Sequence, residues 1–317
     1  MTKVTYGGQS YECGDDSVLD CLTAHGVAVP SSCRSGICHT CMMRAVDGAV
    51  PDKAKAGLKP TLAVQNYFLA CFCYPEQDIE VALPEAGINK LEAKVTGIEY
   101  LNADILGIRL KPSRPFEYRA GQFINLFKDA TTSRSYSLAS VPALGEELFL
   151  NVRKVPSGLV SNWVAADLKA GDAITISEAT GDCFYVPGNP EQNILLIATG
   201  SGLAPLYGIV RDALLNGHRG RLSLYHGSYN PSGFYLVAEL KKLAQAHPNF
   251  RYVACVSEGT APEGYAAGMV LDVALADNPD LSGWRVFLCG NPDMVNAAKE
   301  QTFFAGASMR DIFADPF

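Results

Sequence analysis

The sequence predicts a multidomain chain of mixed class: an α+β module, then an antiparallel barrel, then a parallel α/β sheet. Three observations predict it. Seven of the ten cysteines fall in the first quarter of the chain. Residues 91 to 187 read as strand after strand, interrupted by one helix. From residue 191 onward apolar strands alternate with helices, as they do in parallel α/β sheets. A length of 317 residues holds two or three domains. With 48% hydrophobic and 19% charged residues, there is ample material for packed cores and no sign of disorder. The balance of 26 Lys+Arg against 33 Asp+Glu, a net charge of −7, argues against a phosphate-backbone partner, so no nucleic acid is expected.

The first module is expected over residues 1–88. Asp16 or Ser17 caps a helix through Val18, Leu22 and His25, and Gly26 stops it. Asp47-Gly48 reads as a hairpin turn after the segment Cys41 to Val46, and Asp78 to Leu83 as a closing strand. Pro84-Glu85-Ala86-Gly87 reads as a linker. The second module, 91–188, carries strands at 94–101, 105–111, 122–128, 135–139, 147–155 and 173–177, and a helix at 159–168. Six short antiparallel strands hide their edges by closing into a barrel. The third, 189–317, has strands at 193–198, 222–227, 252–256 and 285–289, and helices at 205–215, 234–246, 269–276 and 292–304. The N-terminal residues Met1 to Tyr6 lack the basic start and apolar core of a secretion signal, so a cytoplasmic protein is expected. The apolar run Ile194 to Val210 is broken by Gly200, Gly202, Pro205 and Gly208, so no membrane insertion is expected.

In a reducing cytosol, clustered cysteines point to a metal or an inorganic cluster rather than to disulfides. Cys33, Cys38 and Cys41 have the C-x4-C-x2-C spacing, and Cys71 and Cys73 are candidates for a fourth ligand. Three thiolates from one loop and one from a distant segment is the plant-type iron-sulfur pattern, whereas structural zinc favours two close pairs. Gly36 and the short Ser35 suit a loop whose N–H groups approach sulfides. Two residues apart on a strand, Cys71 and Cys73 would share a face, so spacing alone does not choose between them. The stretch from Cys33 through Leu69-Ala70-Cys71-Phe72-Cys73 resembles a plant-type 2Fe-2S ferredoxin, a β-grasp fold, over residues 1–88. That resemblance implies Cys33, Cys38, Cys41 and Cys71 as ligands. His39 departs from the family pattern of a small residue and is expected to face solvent, and Cys13 and Cys21 are expected in the core.

Arg134-Ser135-Tyr136-Ser137, preceded by Tyr118-Arg119-Ala120-Gly121-Gln122-Phe123, lies in the expected barrel. A flavin ring needs an aromatic face, a polar group near N5 and a cation or helix terminus for its phosphates, and this string supplies all three types. By itself the string also reads as an edge strand with a surface Arg and a packed Tyr. Together the two segments resemble the ferredoxin-NADP reductase superfamily, whose flavin domain is a six-stranded barrel. The resemblance implies Arg134 on the FAD pyrophosphate, Tyr136 against the ring and Ser137 near N5, with Ser135 between them. Gly158 and Ser161 open the helix at 159–168, where free N–H groups would receive a phosphate.

Ile194 to Ala198 runs into Thr199-Gly200-Ser201-Gly202-Leu203-Ala204-Pro205 and a helix, which suits a pyrophosphate at close backbone approach, Pro205 fitting the first helical turn. This resembles the TG-x-G-x-AP loop of the same superfamily, and Cys289-Gly290-Asn291-Pro292-Asp293-Met294 resembles its CG-x-P-x-M segment, implying Cys289 beside the nicotinamide C4. Phe317, or in competition Phe313, would cover the flavin; a frayed tail is the other reading of this end. Gly227-Ser228-Tyr229-Asn230 offers no cation for a 2′-phosphate, and Glu258 stands where phosphate-binding relatives carry Arg, so NADH is expected.

The order of modules looks like the reductases of multicomponent oxygenases, such as benzoate dioxygenase reductase. This implies an NADH:acceptor oxidoreductase with FAD and a 2Fe-2S cluster, whose partner is a terminal oxygenase (Rieske dioxygenase or diiron monooxygenase) or another iron-containing acceptor. A reductase for a deoxysugar dehydrase and a redox-sensing module without turnover are the alternatives. Residues 1–88 carry 6 Lys+Arg against 10 Asp+Glu, so the acceptor is expected to present basic residues.

Overall fold

The structure, a computed structural model, describes residues 2–36, 38–84 and 89–317. It divides into two compact units, Met1–Ile88 and Asn89–Phe317. Beyond Pro84, the expected linker lies outside the described residues.

In the first unit, β1 (Lys3–Tyr6) and β2 (Gln9–Glu12) form a hairpin. Next come α1 (Val18–Ala24), β3 (Met42–Asp47), α2 (Asp52–Lys55), α3 (Pro60–Ala63), β4 (Tyr67–Leu69) and β5 (Ile79–Ala82). The sheet order is β2-β1-β5-β3-β4, with β1 parallel to β5 at its centre, the β-grasp arrangement. Ser17 does cap α1, its hydroxyl accepting the Asp20 amide at 3.1 Å. The buried face of that helix, Val18, Leu19, Cys21 and Leu22, packs on Val4, Met43, Phe68 and Ile79. Cys13 and Cys21 are core residues as expected, and their sulfurs are joined in a disulfide rather than standing as separate thiols. The expected hairpin at Asp47-Gly48 is a correction: the chain turns there, with Gly48 at φ 89°, but enters α2, and β3 pairs instead with β4 and β5. A turn residue marks a change of direction, not the partner of the strand before it.

The second unit begins with β6 (Lys90–Tyr100), β7 (Ile105–Pro112), β8 (Phe123–Phe127), β9 (Ser133–Ser137), β10 (Leu148–Arg153), α4 (Leu159–Ala166) and β11 (Ala173–Ser177). Six antiparallel strands run in the order β10-β7-β6-β11-β8-β9, and a bridge between Leu138 and Leu150 brings the two edges together, so the sheet closes as a barrel. Alternate residues fill it: Val95, Ile108, Leu110, Ile124, Leu126, Leu148, Leu150, Val152 and Ile176 are all fully buried.

Its second half comprises β12 (Ile194–Thr199), α5 (Leu203–Leu215), β13 (Leu222–Ser228), α6 (Val237–Ala246), β14 (Phe250–Val256), β15 (Ala266–Ala267), α7 (Val270–Asp277), β16 (Arg285–Gly290), α8 (Pro292–Phe304) and β17 (Ile312–Pro316). All six strands are parallel, in the order β15-β14-β13-β12-β16-β17. Core residues of α5 and α6 lie in one apolar layer, and those of α7 and α8 in another. The strand order reverses direction at β12, the switch point where α/β sheets open a ligand crevice at their carboxyl ends. The C-terminal segment is not a frayed tail. Ile312–Pro316 is a sixth strand on β16, and Phe313 is fully buried, stacked on Phe287 at 5.0 Å. Phe313 is thereby removed as a cover for any ligand. Among the described residues no helix is long and apolar enough to cross a membrane.

Candidate functional site

In the first unit the sulfurs fall into two pairs. The Cys33 and Cys38 amides each approach the other's sulfur, at 3.5 and 3.4 Å, in an exposed loop. Cys41 and Cys71 lie buried with their sulfurs 3.3 Å apart, held by the Ala70 amide donating to the Cys41 carbonyl at 3.0 Å. Two irons each needing two thiolates fit two such pairs. Backbone at Arg34, Gly36 and His39 is left-handed (φ 52°, 74° and 58°), and the amides of Cys33, Ser35 and Cys38 reach the Cys38 and Cys33 sulfurs. Hydrogen bonds from Ser35 and then Cys38 hold the Cys33 thiol down at about 5, close to the thiolate a metal takes. Burial, then the neighbouring Cys41, pushes Cys71 up to about 11, so metal binding there must displace a proton. Cys73 is fully buried in the core, and burial pushes its thiol up to about 12. His39 is half-buried, so part of its side chain faces solvent.

In the second unit a cavity of about 1080 Å³ opens between the barrel and the carboxyl ends of β12, β13 and β16. Arg134, Ser135, Tyr136 and Ser137 line it from β9, and Gly158 and Ser161 from the start of α4. Gly158 is the N-cap of α4; a β-carbon there would strike the Ser161 hydroxyl, which itself accepts the Val155 amide at 3.3 Å. The first turn of α4, Gly158 to Ser161, thus lines the cavity, and a helix start carries positive polarity. Thr199 and Gly200 line the other side, and Phe317, half exposed, closes one end.

Gly202, Pro205, Cys289 and Gly290 are buried behind that wall and do not line the cavity. A β-carbon on Gly202 would run into the backbone of Cys289, and one on Gly290 (φ 124°) into that of Thr199. These glycines let the β12–α5 loop lie directly on the end of β16. Thr199 pins the same contact, its hydroxyl accepting the Asn291 amide at 3.0 Å. Cys289 sits 3.8 Å from Cys183, sulfur to sulfur, and burial followed by that neighbour raises its thiol well above the usual range, keeping it protonated.

Three families match the chain in succession: the 2Fe-2S iron-sulfur cluster binding domain over residues 4–76, the oxidoreductase FAD-binding domain over 92–185, and the oxidoreductase NAD-binding domain over 196–300. The reductase component of the naphthalene 1,2-dioxygenase system of Pseudomonas putida, named as a ferredoxin–NAD(P)+ reductase, is 34% identical over 307 residues, covering 95% of this chain and 93% of its own. This chain belongs to the reductase components of oxygenase systems. The reductase subunit of an aromatic O-demethylase from Amycolatopsis is 33% identical over 93% of this chain and 92% of its own. The solved structure of the Amycolatopsis reductase GcoB aligns with a TM-score of 0.71 at 30% identity, covering 100% of this chain and 99% of that one.

Cavity and thiol loop fit the groups these families carry. The volume of the cavity exceeds that of an ordinary small-ligand pocket and suits dinucleotides. Its cations, among the described residues, are Arg134 and Arg153, the latter beside Gly200. Arg153, Asn151 and Asp315 are among the lining residues that carried no motif in the sequence. Asp315 lies next to Cys289 in the β16–β17 pairing, and its carboxylate accepts from the Ser137 hydroxyl at 3.5 Å. Burial, then the nearby Asp182, pushes it up to about 6. Asn151 is 3% exposed, and neither polar atom of its side chain has a partner. A lone Asn in the apolar run Leu148-Phe149-Leu150-Asn151-Val152 was the one available signal.

Proposed function

We propose that this reductase takes electrons from NADH and delivers them singly, through FAD and a 2Fe-2S cluster, to a terminal oxygenase or another iron-containing acceptor protein. The observation that carries the reading is that one chain holds a two-pair thiol loop and a dinucleotide-sized cavity lined by the Arg134–Ser137 strand and the Thr199–Ser201 segment. When bound, FAD accepts an electron pair and releases electrons one at a time, which suits one-electron iron acceptors.

Cys33, Cys38, Cys41 and Cys71 hold the cluster, with Cys73 a core residue. The Arg134 guanidinium and the α4 start at Gly158 and Ser161 bind the FAD phosphates, while Tyr136 stacks on the ring and Ser135 ties the strand, its hydroxyl donating to Asn125 at 2.8 Å. The Ser137 hydroxyl sits at the reacting edge, and Asp315 behind it holds or releases a proton near pH 6. Phe317 covers the ring until nicotinamide enters. Thr199 and Gly200 face the NADH pyrophosphate, Gly202, Pro205 and Gly290 hold their loop in place from behind, and the Cys289 thiol, kept neutral, backs the wall on the nicotinamide side. Coenzyme choice follows from charge: the cavity wall at Gly227 to Asn230, Ser257 and Asp272 carries no cation for a 2′-phosphate among the described residues. The three modules are divided as 1–88, 91–188 and 189–317. A cytoplasmic setting supplies NADH.

The test is an anaerobic titration of the purified holoprotein. NADH is expected to bleach the flavin and cluster absorption, and the reduced protein to reduce a Rieske or diiron oxygenase on mixing. Absence of bleaching overturns the reading, and faster bleaching by NADPH at equal concentration overturns the coenzyme choice.

A further inference from the structure

The flavin-binding reading leaves one buried polar group of the cavity unused. Along β10, Leu148, Leu150 and Val152 point into the barrel, so Phe149, Asn151 and Arg153 project from the opposite face. Phe149 packs on Ala139 and Ala204, and Arg153 reaches Gly200, which leaves Asn151 between them in the cavity wall. Its strand neighbours cannot engage it. Directly across on β7 stands Gly107, which has no side chain and where a β-carbon would meet the Phe149 ring at 2.9 Å. On the other flank, continuing the Leu138–Leu150 bridge puts Ser137 opposite Asn151, and that hydroxyl is turned to Asp315. Both Nδ2 and Oδ1 therefore remain without a hydrogen bond at 3% exposure. Buried carboxamides in this state are rare, and each calls for an explanation such as a ligand.

We propose that the Asn151 carboxamide binds the pyrimidine edge of the flavin ring, pairing with the ring imide and an adjacent carbonyl. The inference rests on the reading that the cavity holds FAD. A carboxamide presents one donor face and one acceptor face side by side. The pyrimidine edge of an isoalloxazine presents the complement, an N–H donor flanked by carbonyl acceptors; the dimethylbenzene edge presents neither. Position agrees with chemistry, since Asn151 lies beside Ser137 in the barrel wall, on the strand bridged to the segment that follows Tyr136. The donor also favours the ring when it is electron-rich, so Asn151 sets flavin potential as well as affinity. It is thus a cofactor-orienting residue supplied by a strand interior.

The experiment compares the full-length wild type with Asn151→Leu and Asn151→Asp, stripped of FAD and titrated with FAD by fluorescence quenching, with cluster absorption as the folding control. For Asn151→Leu the FAD dissociation constant is expected to rise on the order of tenfold, with a shifted flavin band and a lower midpoint potential. Asn151→Asp keeps the shape if Leu disturbs folding; it is expected to bind weakly at pH 8 and to recover as the carboxyl protonates and regains a donor. Dissociation constants within twofold of wild type, with an unchanged flavin band, overturn the proposal. So does a loss confined to NADH affinity, which would assign the amide to nicotinamide. Wild-type protein that takes up no FAD defeats the underlying reading, whereas equal FAD binding by all three proteins defeats this inference alone.

Discussion

The thiol loop of the first unit and the cavity of the second solve the same problem, holding a redox group, by opposite means. In the loop, three of the four sulfurs come from nine consecutive residues, and two of them are exposed. Ligand bonds there do what packing does elsewhere, so the loop needs curled backbone and little else. The cavity wall draws on residues from Asn102 to Phe317, and its shape depends on glycines that let one loop lie flat on a strand end. A site made by coordination tolerates exposure, whereas one made by shape requires a rigid wall. The two should therefore fail independently, and substitutions can be ranked by how sharply they separate them.

The largest effect belongs to the loop. Cys71→Ser is expected to abolish the cluster absorption outright, while Cys73→Ser retains it and destabilises the first unit by roughly 1–3 kcal/mol through a buried hydroxyl; visible spectra and thermal unfolding measure the two, and the reverse pattern would reassign the ligand. Next is the cavity wall. Gly290→Ala drives a methyl into Thr199 from a left-handed backbone, so unfolding of the second unit is expected to fall on the order of 10 °C with NADH binding lost and the cluster signal kept.

Arg134→Ala should be milder, weakening FAD roughly 10- to 100-fold without loss of cluster absorption. Retention of FAD through gel filtration at wild-type strength would remove Arg134 from the phosphate site. Smallest is a pH effect. Asp315, raised by burial to about 6, binds its proton more tightly folded than unfolded. Its contribution to stability is therefore full below the ordinary carboxylate range and lost as pH climbs towards about 6. Asp315→Asn is expected to flatten that decline, gaining a few degrees on wild type between about pH 4 and pH 6 in thermal scans. An unchanged slope would mean that Asp315 is not the group responsible.

Much of this was legible beforehand for particular reasons. Ser17 capping α1, the run of barrel strands and the alternation after residue 191 are local patterns, and the structure follows them within a few residues. The Cys33, Cys38 and Cys41 spacing is local too. Strand β17 was not legible, because Ile-Phe-Ala-Asp-Pro shows no strand signal of its own and acquires one only by pairing with β16. That pairing separated Phe313, in the core, from Phe317, at the cavity. Asp315 and Asn151 were missed for a related reason: each is a single polar residue in an apolar strand, and only the neighbours across the sheet show what it faces.

By itself the sequence determined the ligand chemistry, the kinds of element and their order, since these depend on spacings of a few residues. Tertiary structure alone decided which sulfurs pair, which glycines support the wall rather than face a ligand, and that Asn151 ends without a partner. Those outcomes depend on register between strands far apart in the chain, and register is set by how whole faces pack, which no short stretch of residues encodes.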